Sequence, residues 1–175
     1  MNENDFDAMT GSMTVHMTKE ALYDFLLFHA YSKFSGFLIN ILGLAVAFMG
    51  VIMYNTNKTD TLGLTFYLIA AVIFLGSTPF QLKMRAKKQV LVNEEYNKEV
   101  NYFFSKDGIR VEQGESVKEF AWEQIKRAVV TPKTIGVYYE EERAFILPKC
   151  DFGTEFVTIF TIIASQLGQS KVRMR

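Results

Sequence analysis

Cysteine, proline and histidine are scarce in this 175-residue chain, which has one cysteine, three prolines and two histidines. A single thiol excludes an internal disulfide framework and a thiolate zinc cage. Excess charge is also absent, because nineteen Lys and Arg residues balance nineteen Asp and Glu residues. Proteins that hold nucleic acid through phosphate contacts carry a positive excess. We therefore expect no nucleic-acid partner.

Signatures of catalysis and of cofactor binding are missing too. The sequence has no GxGxxG, GxxxxGK[ST], HExxH or GxSxG pattern. His16, His29 and Cys150 lie on separate predicted elements, without the close spacing of metal ligands. Cys150 lies between the opposing charges of Lys149 and Asp151, so no neighbour activates it as a nucleophile. The sequence predicts no catalytic residue, no metal site and no cofactor.

Two long blocks contain no charged residue, 34–54 and 61–81. A helix of about 21 residues is about 31 Å long, which matches a hydrocarbon core of about 30 Å. A core helix of this length that is apolar on all sides would need a larger protein around it. A cleaved signal peptide would start earlier and follow a basic leader. We predict transmembrane helices at 34–54 and 61–81, joined by a short external loop at 55–60.

Basic residues near the ends of the spans predict the orientation. The loop carries Lys58 alone, whereas the opposite flanks carry six cations: Lys19, Lys33, Lys83, Arg85, Lys87 and Lys88. The excess places both termini in the cytoplasm. The four cations after the second span are also candidate contacts for anionic lipid of the inner leaflet. As an alternative, they act as a topology signal alone.

Small residues recur every seven positions in the first span, at Gly36, Gly43 and Gly50. They lie on roughly one helix face, where two backbones can approach closely, and Asn40 could hydrogen-bond across the contact. The partner is either the second helix of the same hairpin or a second copy in a homodimer. Neither span contains Asp, Glu, Lys, Arg or His, so a transporter or channel is not expected.

The segments that flank the spans are predicted to lie in the cytoplasm. In 1–33 the first ten residues should be loose, a strand should cover about 12–17, and a helix about 18–33 with Thr18 as its N-cap. Pro79 should kink or end the second membrane helix. A basic juxtamembrane helix should then occupy 82–97.

The remaining residues, 98–175, show a period of two followed by a helical period. Alternation predicts six strands, at 100–104, 109–112, 117–122, 126–131, 135–139 and 144–148. Gly108 should take a positive φ in the first turn, and Trp122 is better interpreted as a core residue than as part of a ligand groove. The last helix should be capped by Asp151 or Thr154 and end at Gly168.

Together these elements predict an α+β membrane protein. A transmembrane helical hairpin carries a small antiparallel β domain, capped by a C-terminal helix, and its strand count matches a pleckstrin-homology-like barrel when 12–17 is included. The sequence resembles the YcxB-like family of bacterial membrane proteins in four features. These are TKEALYDF at 18–25, the two-span hairpin, AWEQI at 121–125, and FILPK at 145–149 before Asp151 and Phe152. The resemblance implies a plasma-membrane protein with a cytoplasmic pleckstrin-homology-like domain. The resemblance implies no catalytic residue in this chain.

The expected function is that of a non-catalytic, membrane-anchored binding or regulatory module. Its partners would be the anionic inner leaflet and either another protein or a second copy. The alternatives are a membrane-bound enzyme with an unrecognised cytoplasmic site and an accessory or immunity subunit of a transporter. A deep pocket with convergent ionisable side chains would favour the enzyme. A filled core with an exposed apolar or cationic groove would favour the module.

Overall fold

A computed structural model describes residues 10–32, 34–93, 96 and 98–174. The chain forms two compact units, one made of Met1–Phe25 with Lys87–Arg175 and the other of Leu26–Ala86. The first unit holds two β-sheets and a C-terminal helix, and the second holds two long apolar helices. The predicted α+β class is therefore confirmed. The predictions for residues 1–9 and for a helix through 94, 95 and 97 lie outside the described residues.

Four α-helices follow in chain order: α1 Lys19–Ser32, α2 Phe34–Asn55, α3 Thr61–Val92 and α4 Phe156–Leu167. Thr18 caps α1 as predicted, because its Oγ1 accepts a hydrogen bond from the Ala21 N–H at 3.1 Å. Helices α2 and α3 are long and apolar enough to cross a membrane, and their most apolar windows are only 11% and 6% buried. A core helix of a soluble protein would be mostly buried, so their composition is not explained by a protein interior.

Helix α3 excludes one of the two alternatives predicted for Pro79, a kink or the end of the helix. The proline lies inside a continuous helix of 32 residues and does not end it. The predicted juxtamembrane helix is thus the last part of α3 as far as Val92. Proline removes one hydrogen bond, to the carbonyl four residues earlier, and the bonds on either side can persist. Ser77 lies close by and donates its hydroxyl to the Phe74 carbonyl oxygen at 3.1 Å, the kind of side-chain bond that accompanies proline in membrane helices.

The first sheet has four antiparallel strands in the order β1-β2-β3-β4: Gly11–Val15, Val100–Phe104, Gly108–Gln113 and Ser116–Ala121. Its strands agree with the predicted ones to within two residues at most ends. Strand β1 pairs with β2 from Gly11 opposite Phe104 to Val15 opposite Val100. The intervening residues, 16–99, include α1, α2 and α3. The helical hairpin is therefore an insertion between two neighbouring strands of one sheet.

The second sheet has the order β7-β6-β5-β8, with β5 Arg127–Val130, β6 Thr134–Tyr138, β7 Ala144–Pro148 and β8 Val172–Met174. Strand β8 pairs in parallel with β5 and was not predicted from the sequence. Three residues are too few to show an alternating pattern. One basic residue, Arg173, lies within this strand.

One hydrophobic core joins both sheets and α4. On α4 the buried side chains are Ile159, Ile162, Ile163 and Leu167. Neither predicted cap makes a side-chain capping bond at the start of α4. Asp151 instead accepts the backbone N–H of His16 at 2.8 Å, which ties the end of β1 to the segment before α4. Gly168 ends the helix as predicted, with φ of 74°.

Trp122 belongs to the core, where it is 6% exposed. It lies in a short 3-10 turn, Trp122–Gln124, and not within β4 as the alternation suggested. Its ring N–H donates to the Ser105 carbonyl oxygen at 2.9 Å. That bond satisfies the one polar atom of a buried indole.

Gly108 is required for a different reason from the predicted one. The described glycines with positive φ are Gly114, Gly153 and Gly168. At Gly108 an added Cβ would instead meet the carbonyl oxygen of Phe120, because β3 begins there against the end of β4. The close approach of the two backbones, and not the turn conformation, excludes a side chain.

Helix α1 is attached to the second sheet through its first two turns. Phe25 packs over Gly136, where an added Cβ would lie 2.7 Å from the ring, and its centroid is 5.9 Å from that of Tyr138. The Asp24 carboxylate accepts the Thr131 hydroxyl at 2.5 Å, the Lys133 N–H at 3.2 Å and the Thr134 hydroxyl at 3.3 Å. Asp24 therefore holds the turn between β5 and β6.

Candidate functional site

A groove of about 260 Å³ is lined by residues of all four strands of the first sheet and of β7 in the second sheet. We call it the aromatic groove. Its aromatic lining comes from both sheets and from the segment before β2: Tyr96, Tyr102, Phe120, Tyr139 and Phe145. Its volume is near the lower end of ligand pockets, about 300 Å³. The space suits a ring or a short chain better than a whole lipid.

Phe145 is the centre of the aromatic cluster in this groove. Its ring centroid lies 4.7 Å from Tyr139, 4.9 Å from Phe120 and 5.6 Å from Tyr102. The Phe120 and Tyr102 contacts are edge-to-face, a favoured arrangement for aromatic pairs. Rings held by one another in this way form a rigid apolar wall that is present before any ligand binds.

Two lysines line the same groove, Lys98 before β2 and Lys118 on β4. The register of β2, β3 and β4 explains why these lysines face the groove. Tyr102 is opposite Val111, which is opposite Lys118, so these three residues share one face of the sheet. Lys98 is four residues before Tyr102, and side chains an even number apart along an extended chain point to the same side. Both lysine residues are exposed.

The described residues that line the groove include no carboxylate. Glu140 follows the lining residue Tyr139. Besides burial, which raises the pKa of that hydroxyl, Arg143 lowers it and Glu140 raises it. Glu99, Glu112 and Glu119 are each one residue from a lining position, and alternation directs them to the opposite face. Two have partners there. Glu112 accepts Arg110 at 2.6 Å, and Glu99 accepts His16 Nε2 at 2.9 Å. The groove therefore combines an apolar wall with two ammonium groups.

Tyr102 and Tyr139 of the groove stay protonated at neutral pH. Burial raises the pKa of Tyr102 far above its usual value, and the neighbouring Tyr139 and Tyr96 raise it further. Burial also raises the pKa of Tyr139. Both hydroxyls can donate hydrogen bonds but are poor general bases. Among the described lining residues the groove offers donors and positive charge, a set suited to holding an anion.

The sequence contained a signal for this groove that the prediction did not use. Lys98, Val100 and Tyr102 share one face by alternation, and so do Ser116, Lys118 and Phe120. Lysine on the same face as core aromatics is unusual for an inward-facing position. Alternation alone does not show that a groove lies there, so the two runs could not be brought together from the sequence.

The four predicted lipid contacts lie on the C-terminal part of α3, and their side chains are exposed: Lys83, Arg85, Lys87 and Lys88. They lie within six consecutive residues, so they cover more than one turn of the helix. Ala86, between them, is fully buried. The exposure leaves all four ammonium and guanidinium groups open to solvent or to lipid headgroups.

Of the predicted helix-packing residues, Gly43 and Gly50 are buried on α2. An added Cβ at Gly43 would lie 2.9 Å from Leu75, and one at Gly50 would meet Tyr67. Both neighbours are on α3, so these two glycines face the second helix of their own hairpin. Asn40 is partly buried on α2, and the surroundings of Gly36 lie outside what the structure describes.

The histidines and the cysteine are not brought together as a metal site. His16 bonds Glu99, and the Cys150 thiol donates to Asp151 Oδ1 at 3.3 Å. Within the described part of the chain, no three His, Cys, Asp or Glu side chains form a group able to hold a metal ion. Cys150 is exposed. Cys150 is therefore more useful as a labelling site on the protein surface than as a candidate nucleophile.

Replacing Asp151 with asparagine should increase the reactivity of Cys150. Burial raises the pKa of the thiol, and the hydrogen bond to Asp151 and its negative charge raise it further. Losing that charge should lower the pKa and raise the rate of maleimide labelling at pH 7.5 about threefold. Asp107→Asn, the same change on an exposed turn, is the matched control. Equal rates in the two variants would show that Asp151 does not set the thiol's pKa.

A comparison with curated protein sequences found no match to the chain. A family model does match, from the last residue of β2 to the first residue of α4. That stretch includes Phe120, Tyr139 and Phe145 of the aromatic groove and the core residue Trp122. Residues 104–156 of this chain match the model of the family described as YcxB-like protein.

Proposed function

We propose that this protein is a bacterial plasma-membrane protein whose helical hairpin anchors a non-catalytic binding module at the cytoplasmic face. The observation that carries the proposal is the pairing of β1 with β2 across the hairpin. Both ends of the hairpin connect to strands of one sheet, so a hairpin that crosses the bilayer twice must begin and end on the same side. Both connections between the sheet and the hairpin then lie on that side of the membrane.

The cytoplasmic side follows from charge. Lys58 is the one cation in the connection between α2 and α3, whereas Lys83, Arg85, Lys87 and Lys88 follow the apolar part of α3. Positively charged flanks stay in the cytoplasm. The same four side chains would contact anionic headgroups of the inner leaflet. We infer that both termini are cytoplasmic.

A pleckstrin-homology-like fold is the finer assignment that we propose for the β domain. Its support is the order of elements: seven antiparallel strands in two sheets, followed by helix α4. Strand β8 is an addition to that pattern. Such domains present ligand sites on a filled core, and here the core is filled while the aromatic groove remains open. The described lining of the groove supplies no acid–base pair, which favours binding over catalysis.

Thiol labelling tests the topology. A membrane-impermeant maleimide applied at pH 8.5 should label Cys150 only after the cells are opened. A chain with Cys150→Ser and Thr56→Cys, which moves the single thiol to the exposed connection between α2 and α3, should be labelled in intact cells. The Cys150→Ser chain without a new thiol gives the background. Labelling of Cys150 in intact cells would reverse the orientation, and recovery of the protein in the soluble fraction without detergent would refute the anchor.

A further inference from the structure

We infer that the aromatic groove binds a small anionic amphiphile, with the apolar part against Phe145 and the anionic head between Lys98 and Lys118. The chemical class is an alkyl or aromatic carboxylate, sulfonate or phosphate monoester. This inference deepens the proposed function, because it names a ligand for the binding module. Its readout is ligand protection within the β domain, which is independent of the side of the membrane on which the domain lies.

The apolar half of the ligand follows from the shape and lining of the groove. A volume of about 260 Å³ equals about nine water molecules at their liquid volume, so it admits a short chain or a single ring. Phe145, Phe120 and Tyr102 form a preformed wall with centroid separations of 4.9 and 5.6 Å from Phe145. A preformed apolar wall needs little reordering when a ligand binds.

The anionic half follows from the charges. Lys98 and Lys118 line the groove, and none of its described lining residues is acidic. The neighbouring carboxylates Glu99, Glu112 and Glu119 lie one residue from lining positions and are directed to the other face, where His16 engages Glu99 and Arg110 engages Glu112. Two ammonium groups beside an apolar wall are complementary to an anionic head on an apolar body. A cationic amphiphile would gain the same apolar contact and lose the electrostatic one.

Position-specific thiol chemistry on the full chain tests the inference. In a Cys150→Ser background, Ser116→Cys places a thiol in the lining of the groove, and Val117→Cys places one on the opposite, exposed face of the same strand. The protein is reconstituted in phosphatidylcholine nanodiscs. Reaction with an anionic thiosulfonate reagent is compared with reaction with a cationic one. The ratio of the anionic to the cationic rate should be about fivefold higher at position 116 than at position 117. Lys98→Gln with Lys118→Gln should lower the ratio at position 116 and leave it unchanged at position 117, where Glu112 lies opposite.

Ligand protection supplies the second readout. Octanoate should slow the reaction at position 116 about fivefold without changing it at 117, whereas octyltrimethylammonium should protect neither position. Equal protection by both amphiphiles, or no protection by octanoate, would overturn the inference. Nanodiscs that contain phosphatidylglycerol test a whole anionic lipid, which the volume of the groove does not suit. Protection at position 116 without added octanoate would contradict a small ligand, and protection only with octanoate would support one.

A measurement on the unsubstituted chain does not depend on whether the variants fold. Octanoate carrying a photoreactive diazirine should attach to groove residues such as Phe120, Tyr139 or Ile146, and excess octanoate should prevent the attachment. Peptide mass spectrometry locates the adducts. Adducts found only on α2 and α3 would show that the probe dissolves in the bilayer and would contradict a site in the groove.

Discussion

Replacing Asp24 with alanine should lower the free energy of unfolding of the β domain by about 2 kcal/mol. Three donors converge on this carboxylate: the hydroxyls of Thr131 and Thr134 and the Lys133 N–H. Both threonines are buried, at 1% and 0% exposed. Removing a charged acceptor lowers the stability more when the donor is buried than when it is exposed, because water cannot replace the bond to a buried donor.

Part of the loss should be recovered locally. The Thr131 hydroxyl lies 2.9 Å from the Thr134 carbonyl oxygen and can redirect its proton there. The Thr134 hydroxyl lies 2.7 Å from the Thr131 oxygen and can donate to it. This rearrangement is why we expect about 2 kcal/mol and not the sum of three charge-assisted bonds. Asp24→Asn keeps an acceptor and should cost about 1 kcal/mol.

Urea unfolding of the full chain in mild detergent measures the effect. Trp122 is the one tryptophan of the sequence and lies in the β-domain core, so its fluorescence reports on that unit. Asp107→Ala, on an exposed turn, should change the stability by less than about 0.5 kcal/mol. If Asp24→Ala were as mild as Asp107→Ala, the attachment of α1 to the β5–β6 turn would not contribute to folding.

Replacing Gly50 with leucine should destabilise the helical hairpin by about 2 kcal/mol. A Cβ at this position would meet Tyr67 on α3, so leucine must force the two helices apart or shift the ring. Overpacking of a close contact costs about 1–3 kcal/mol. Gly76→Leu is the matched control, because no atom lies within 4 Å of a Cβ built there. Both variants gain the same helix propensity, about 0.8 kcal/mol relative to glycine.

Circular dichroism of the helical signal during heating, in mild detergent, checks this expectation. Gly50→Leu should melt at least about 5 °C below the unsubstituted chain, while Gly76→Leu should melt at or slightly above it. The experiment also distinguishes the two partners predicted for the glycine face of α2, which are the second helix of the same hairpin and a second copy of the chain. If Gly50→Leu lowered the oligomeric mass but left the melting temperature unchanged, the face would bind a second copy and not α3.

Several elements could be predicted from the sequence because their signal is local. The lack of charge in 34–54 and 61–81 predicts two long apolar helices, and α2 and α3 cover both blocks. Alternation predicts β1 to β7 to within about two residues, because side chains of a strand half-buried in a sheet alternate between core and solvent. Local signals failed at the start of α4 and at β8. In each case the outcome depends on bonds to other elements or on a segment too short to show a period.

The groove and the attachment of α1 depended on tertiary structure. Nothing in the pattern around Asp24 shows that it meets Thr131, which is more than a hundred positions away. Lys98 and Lys118 reach one groove only because β2, β3 and β4 pair in one register and β7 of the second sheet contributes to the same lining.

The sequence by itself determined which segments avoid water and which faces of the strands are apolar, since both follow from the order of side chains along a few turns or strands. Tertiary structure alone decided that β1 joins β2 across the inserted hairpin. It also decided that Gly43 and Gly50 pack against α3, and that an open groove with two lysines remains beside a filled core. The physical reason is that pairing and packing depend on complementary surfaces between segments distant in the chain, which no local period encodes.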